Sequence, residues 1–167
     1  FISAYKVGFD VNGVINALRI QHDMRCGMSM DLSAAIAERA LMHSENSYYI
    51  PNVEFIANLY KTNTPSNTAF RGFGGPQGML AMERVIDEIA HFLKLDPLTI
   101  RKRNFYLDNK NPMQKEQQTP YGQFVKDCII NDLVNKLEYS SNYLSRRKEI
   151  ERFNKTSDVI KRGIALT

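Results

Sequence analysis

The residues best suited to chemistry in this chain are Arg39, Arg71 and Phe73. Two of them share the stretch SNTAFRGFGGPQGM, residues 66–79, where glycines at 72, 74 and 75 crowd around a phenylalanine and Pro76 opens a helix. Glycine permits positive φ and lets another group approach the main chain closely. A helix start adds free N–H groups that favour anions and electron-rich oxygens. The pattern G-x-G-G is not the dinucleotide fingerprint, and it lacks the Gly-Lys-Ser/Thr ending of a Walker loop. Phe73 has two readings: its ring plugs a distant core, or it offers a platform to a flat ligand. Arg39 also has two. At about 100° per residue it falls among Leu32, Ile36, Ala40 and His43 on one helix face. A guanidinium there is either a snorkelling or salt-bridged edge residue, or a rigid donor fork aimed at an anionic or carbonyl-bearing ligand. His43, on the same face, reads as a core or boundary residue, and His22 and His91 have no suitable neighbours in sequence. A stacking ring, an arginine fork and accessible amides together suit a planar heteroaromatic ligand better than a sugar or a lipid.

These residues depend on the elements around them. Residues 3–9 and 14–22 read as strands joined at Asn12-Gly13, a hairpin signal. A helix over about 31–43 follows, with Asp31 as its cap, then a third strand over 53–61. Met79, Met82, Ile86, Ile89 and Leu93 recur at spacings of three and four and predict a helix over 77–94. Asp96-Pro97 caps and starts a short helix to about residue 105. Residues 106–122 read as polar and irregular, with Pro112, Pro120 and Gly122, and two helices are expected at about 123–138 and 141–154. The closing GIALT reads as the start of a strand. The chain is therefore expected to be α+β: a mixed sheet, made of the N-terminal hairpin and a third strand, packed with about five helices.

At 167 residues, 43% apolar and 24% charged, the composition is that of an ordinary globular domain able to bury a core. No apolar run is long enough to span a membrane. No signal peptide opens the chain, and the abrupt FISAYKVGFD suggests a piece of a longer parent. Cys26 and Cys128 lack a CxxC partner, so no metal site is expected and both read as reduced thiols of a cytoplasmic protein. Residues 1–100 carry 8 basic and 10 acidic side chains, residues 101–167 carry 14 and 8. The bases of RKRNF, SRRKEIERFNK and VIKRG are mixed with acids and lack interleaved aromatics. That describes a solvated helical surface rather than a nucleic-acid patch.

The stretch TNTPSNTAFRGFGGPQGM resembles the signature of the molybdenum-binding subunit of the xanthine dehydrogenase and xanthine oxidase family. The similarity runs upstream through AYKVGFDVNGVINAL and DLSAAIAERALMHSENSYYIPN, and downstream through MERVIDEIAHFLKLDPLTIRKRNFY. It is strong over 1–106 and looser over 107–167, so the chain is expected to be a fragment of one molybdopterin-binding domain. The resemblance implies hydroxylation of hypoxanthine or xanthine to urate at a molybdenum centre held by a pterin dithiolene. Electrons then leave through 2Fe-2S clusters and FAD to NAD in other parts of the enzyme. It places Phe70 and Arg71 beside the molybdenum cofactor, largely through backbone contacts, sets Phe73 against the substrate ring, and makes Arg39 the catalytic and substrate-binding arginine. Related aldehyde oxidases generally lack that arginine, so Arg39 tilts the expectation toward hydroxypurines over aldehydes or other N-heterocycles. The family's upstream glycine-rich loop and substrate-binding glutamate, and its downstream base glutamate, lie outside this chain. An isolated 167-mer is thus expected to be inactive. The expected partners are the rest of the molybdenum-binding subunit and an iron–sulfur/FAD subunit, in a cytoplasmic bacterial enzyme.

Overall fold

The longest strand organises the molecule. In the computed structural model, which describes residues 1–107 and 117–167, β1 (Ile2–Phe9) pairs antiparallel with β2 (Ile15–Gly27), and β2 pairs in parallel with β3 (Val53–Lys61). The order β1-β2-β3 gives the expected mixed sheet. The hairpin closes where the sequence places it. The Asp10 carboxylate accepts from the N–H groups of Asn12 at 2.8 Å and Val14 at 2.9 Å, and Gly13 turns at φ +80°. The positive φ favours glycine there, and a Cβ would also lie 2.6 Å from the Ile100 Cδ1 methyl. Along β2 the alternation is regular: Leu18, Ile20, His22, Met24 and Cys26 are all buried.

Among the described residues five helices accompany this sheet: α1 (Ser33–Met42), α2 (Gly75–Leu93), α3 (Pro97–Asn104), α4 (Ile130–Ser140) and α5 (Tyr143–Thr156). The inner stripe of α2, Met82, Val85, Ile86 and Ile89, joins Ile15, Leu18, Ile20, Leu98 and Ile100 in the main core. Each such side chain contributes about 1.5–3 kcal/mol by leaving water. Beside it Arg101 of α3 is buried. Its Nη2 donates to Glu83 at 2.6 Å and to Asp87 at 3.0 Å, while Tyr48 and Asn46 donate to the other Glu83 oxygen at 2.6 and 2.8 Å. The charge is tolerated because both partners are in place. Asp96 caps α3 as expected, accepting from Leu98 N–H at 2.8 Å, and also receives the Tyr143 hydroxyl at 3.1 Å and an ion pair from Arg147 at 2.9 Å. It thereby ties α3 to α5.

Several expectations are corrected. β2 runs to Gly27 rather than 22, because β3 pairs with its far half. Asp31 does not cap α1: it stands at φ +43°, Leu32 takes the cap position, and no side chain bonds there. Met79 and Leu93 are not fully buried. The fourth helix begins at Ile130, since residues 118–124 form a small bridged turn from Gln118 to Phe124. The final residues form no strand, although Ile164 and Leu166 rest against the core. Pro112, within the stretch read as irregular, lies outside the described residues.

Candidate functional site

Parallel pairing puts the ends of β2 and β3 side by side, with Gly27 opposite Lys61. The loops that leave them are joined along their length. Thr62 N–H donates to Gly27 O, Met28 N–H to Thr64 O and Asn67 N–H to Cys26 O, each at 2.9 Å, and the Ser29 and Ser66 hydroxyls meet at 2.5 Å. Gly27 is required at this crossing, because a Cβ would lie 2.3 Å from Pro65 O. One loop leads into α1 and the other into the glycine stretch, so the two are anchored together.

The glycine stretch is a tight left-handed coil. Gly72, Phe73 and Gly74 stand at φ +91°, +52° and +96°, with Phe73 N–H donating to Phe70 O at 2.9 Å and Gly75 N–H to Gly72 O at 3.0 Å. A left-handed phenylalanine costs roughly 1–2 kcal/mol. Packing supports it: the half-buried ring joins Met24, Ile36, Ala37 and Ala57. The glycines have a role that local sequence did not reveal. A Cβ on Gly74 would stand 2.1 Å from Ile36 O, and one on Gly78 would stand 2.3 Å from Ala40 O. Those positions let α1, not a ligand, approach the main chain. Residues 68–72, in contrast, are all exposed, and the N–H groups of Arg71 and Gly72 have no partner among the described residues.

Phe73 is thus brought against α1, the helix that carries Arg39 one turn beyond Ile36. Arg39 does not lie in the buried stripe. That stripe is Ser33, Ile36, Ala37 and Ala40, and Arg39 is exposed. Nor is it the salt-bridged edge residue considered above, because its guanidinium has no hydrogen bond or ion pair among the described residues. Phe70 is 85% exposed, and Arg71 is exposed with no side-chain partner among the described residues. These four residues do not line the cleft of about 800 Å³ between β1 and α2, whose walls include Tyr5, Val7, Phe9, Ile89 and Phe92. Among the described residues no group of His, Cys, Asp or Glu could hold a metal ion, and no helix is long and apolar enough to cross a membrane. The surface offers unpaired guanidinium and main-chain donors instead, which fits an oxygen-rich cofactor contacted through the backbone.

Besides Arg101, Glu45 and His22 are ionisable groups whose burial escaped sequence reasoning. Glu45, in the loop after α1, is only 3% exposed and its Oε2 has no hydrogen-bond partner among the described residues; burial pushes its carboxyl up to about 7. His22 is fully covered between Ser3 and Ser44. The Ser44 hydroxyl donates to Ala40 O at 2.7 Å and so accepts from His22 Nε2, leaving Nδ1 to accept from Ser3 at 2.8 Å. Burial holds that imidazole below its ordinary range. The alternation of β2 around His22 was the available signal for its burial. Glu45, an acid in a post-helix loop, gave none.

Residues 1–105 match the family model described as molybdopterin cofactor-binding domain. The chain is 42% identical to a xanthine dehydrogenase of Dictyostelium discoideum over 166 residues, covering 99% of this chain and 12% of that protein. It is 43% identical to a nicotinate hydroxylase of Emericella nidulans over 163 residues, covering 97% and 12%. An aldehyde oxidoreductase from Desulfovibrio gigas superposes with a TM-score of 0.76 at 25% identity, covering 94% of this chain and 16% of that one. The chain therefore spans about 12% of the length of the relatives it matches. With a family model over most of its length and a superposable fold, the chain belongs to the molybdopterin cofactor-binding domain family.

Proposed function

We propose that this chain forms part of a xanthine dehydrogenase-like molybdenum hydroxylase, in which it orients a hydroxypurine and contributes to holding the molybdenum–molybdopterin cofactor. The observation that carries the reading is Arg39: an exposed guanidinium, unpaired among the described residues, on a helix interlocked with the Phe73 loop. Such a fork donates to a ring oxygen and stabilises negative charge that develops on the substrate. The Phe73 ring, held by Ile36 and Ala37, supplies an aromatic edge or face for a planar ring. Phe70 and Arg71 lie on the exposed loop whose free N–H groups would hold the cofactor through the backbone. When bound, the cofactor supplies the redox chemistry that hydroxylates the ring. The remaining substrate and base groups come from the rest of the molybdenum-binding subunit, and an iron–sulfur/FAD portion passes electrons to NAD. The free thiols of Cys26 and Cys128 suit a cytoplasmic setting.

In the parent enzyme, Arg39→Met is expected to lower kcat/KM for xanthine by about 10²–10³ and to leave turnover of a simple aldehyde far less affected. Equal losses on both substrates would overturn the assignment. A second reading, oxidation of another N-heterocycle, is favoured by the similarity to the nicotinate hydroxylase. Arg39 would then pair with a carboxylate rather than a purine oxygen, and the variant would lose nicotinate turnover instead. A nucleic-acid module is the weaker alternative, because several bases of the second half are already paired, Lys102 with Glu138 and Arg147 with Asp96.

A further inference from the structure

We propose that His43 is a positioning residue for Arg39. This role rests on the purine reading above and extends it to a residue to which that reading gives no contact with substrate or cofactor. The guanidinium of Arg39 has no partner among the described residues. Its reach is therefore set by the last turn of α1 alone. In that turn the Arg39 carbonyl loses its ordinary helical donor. The His43 N–H, which would serve it in an α-helix, turns instead to Ala40 O at 3.2 Å, and Ser44 N–H goes to Leu41 O at 3.2 Å. The chain tightens and orphans the carbonyl, as helix ends do. The His43 side chain replaces the missing donor: Nδ1 lies 2.9 Å from Arg39 O. A carbonyl only accepts, so Nδ1 carries the proton.

The ring does a second thing. A Cβ on Gly75 would stand 3.5 Å from His43 Cδ2 and 3.8 Å from Nε2. The imidazole is therefore seated against the first turn of α2, directly after the coil that carries Phe73. One side chain closes the end of α1 and rests on the start of α2. It adds to the direct contacts at Gly74 and Gly78 through which the elements presenting Arg39 and Phe73 meet.

The test compares three variants of the parent enzyme at equal molybdenum content. His43→Phe keeps a ring against Gly75 and removes the donor. His43→Asn places an amide N–H near the position of Nδ1 and removes the ring. Arg39→Met reports whether the guanidinium matters at all. His43→Phe is expected to lower kcat/KM for xanthine roughly 10-fold or more, shifting the ratio of xanthine to aldehyde turnover in the direction of Arg39→Met. His43→Asn is expected to recover most of that ratio. A purely structural role would lower thermal stability and both activities together. If Arg39→Met shifts the ratio and His43→Phe does not, the positioning role is overturned alone. If His43→Asn is as defective as His43→Phe, the hydrogen bond is not the agent and the proposal falls. If Arg39→Met itself leaves the ratio unchanged, the purine reading fails and this inference with it.

Discussion

Replacing Gly74 with alanine asks whether the glycine coil and α1 behave as one body. The residue stands at φ +96°, a region that costs an L residue roughly 1–2 kcal/mol. The larger effect is steric. The new Cβ would lie 2.1 Å from Ile36 O, so the two atoms must separate by roughly 1 Å or more to reach ordinary contact. No rotamer change relieves this, because the obstructing atom belongs to the main chain of a helix. Either the coil or α1 must move, and each carries one of the two residues assigned to the substrate. A displacement of about 1 Å in a positioning group costs as much as about 10²-fold in rate. Steady-state kinetics of the parent enzyme on xanthine are therefore expected to show kcat/KM down by about that factor for Gly74→Ala. The control is Gly75→Ala. Its Cβ would meet the His43 ring at 3.5 Å, an ordinary contact, and the expected loss is no more than about threefold. Wild-type kinetics for Gly74→Ala, at equal cofactor content, would mean that the coil and helix adjust independently and would refute the reasoning.

Three further outcomes are expected. Arg101→Leu leaves the half-buried Glu83 without its cation, costing about 3 kcal/mol; hydrogen exchange should show α2 and α3 losing protection together. Glu45→Gln has a pH signature. A carboxyl at about 7 when folded against 4.5 when free makes the ionised form unfavourable in the fold by roughly 3 kcal/mol. That contribution to stability is fully present below about 4.5 and lost as pH rises through 7. The glutamine variant should therefore match the parent in acid and exceed it above pH 7, as measured by thermal unfolding across pH. Asp96→Ala removes the α3 cap, worth about 1 kcal/mol, and the acceptor of Tyr143 and Arg147 as well; faster proteolysis of α5 than of α2 is the readout.

Local signals in the sequence gave correct elements where the structure is decided locally. The Asn12-Gly13 turn, the Asp96 cap and the middle of the α2 stripe, Met82, Ile86 and Ile89, all depend on neighbours within a few residues and are found where expected, whereas Met79 and Leu93 at its ends are not fully buried. The errors arise where a distant segment decides. Residues 23–27 continue β2 because Asn58 to Lys61 pair with them, which no local pattern announces. Arg39 was placed in an apolar stripe with Leu32 and His43, but the face of α1 that contacts the sheet and α2 is centred on Ile36, Ala37 and Ala40. The glycines illustrate the same point at the site. Their spacing suggested close approach to the main chain, correctly, but the approaching group at 74 and 78 is another helix. Glu45 was invisible because its burial depends on tertiary packing around the loop after α1.

The parallel pairing of β2 with β3 also orders events in time. The hairpin closes over a short turn, whereas Leu18 must wait for Val53 and Gly27 for Lys61. Non-local pairing of this kind forms slowly, and the N-terminal part of a growing chain folds first. The surface bearing Arg39 and Phe73 requires both that crossover and the seating of α2 on α1. Within residues 1–93 it consequently takes shape only after the hairpin, once β3 has reached β2 and α2 has settled on α1.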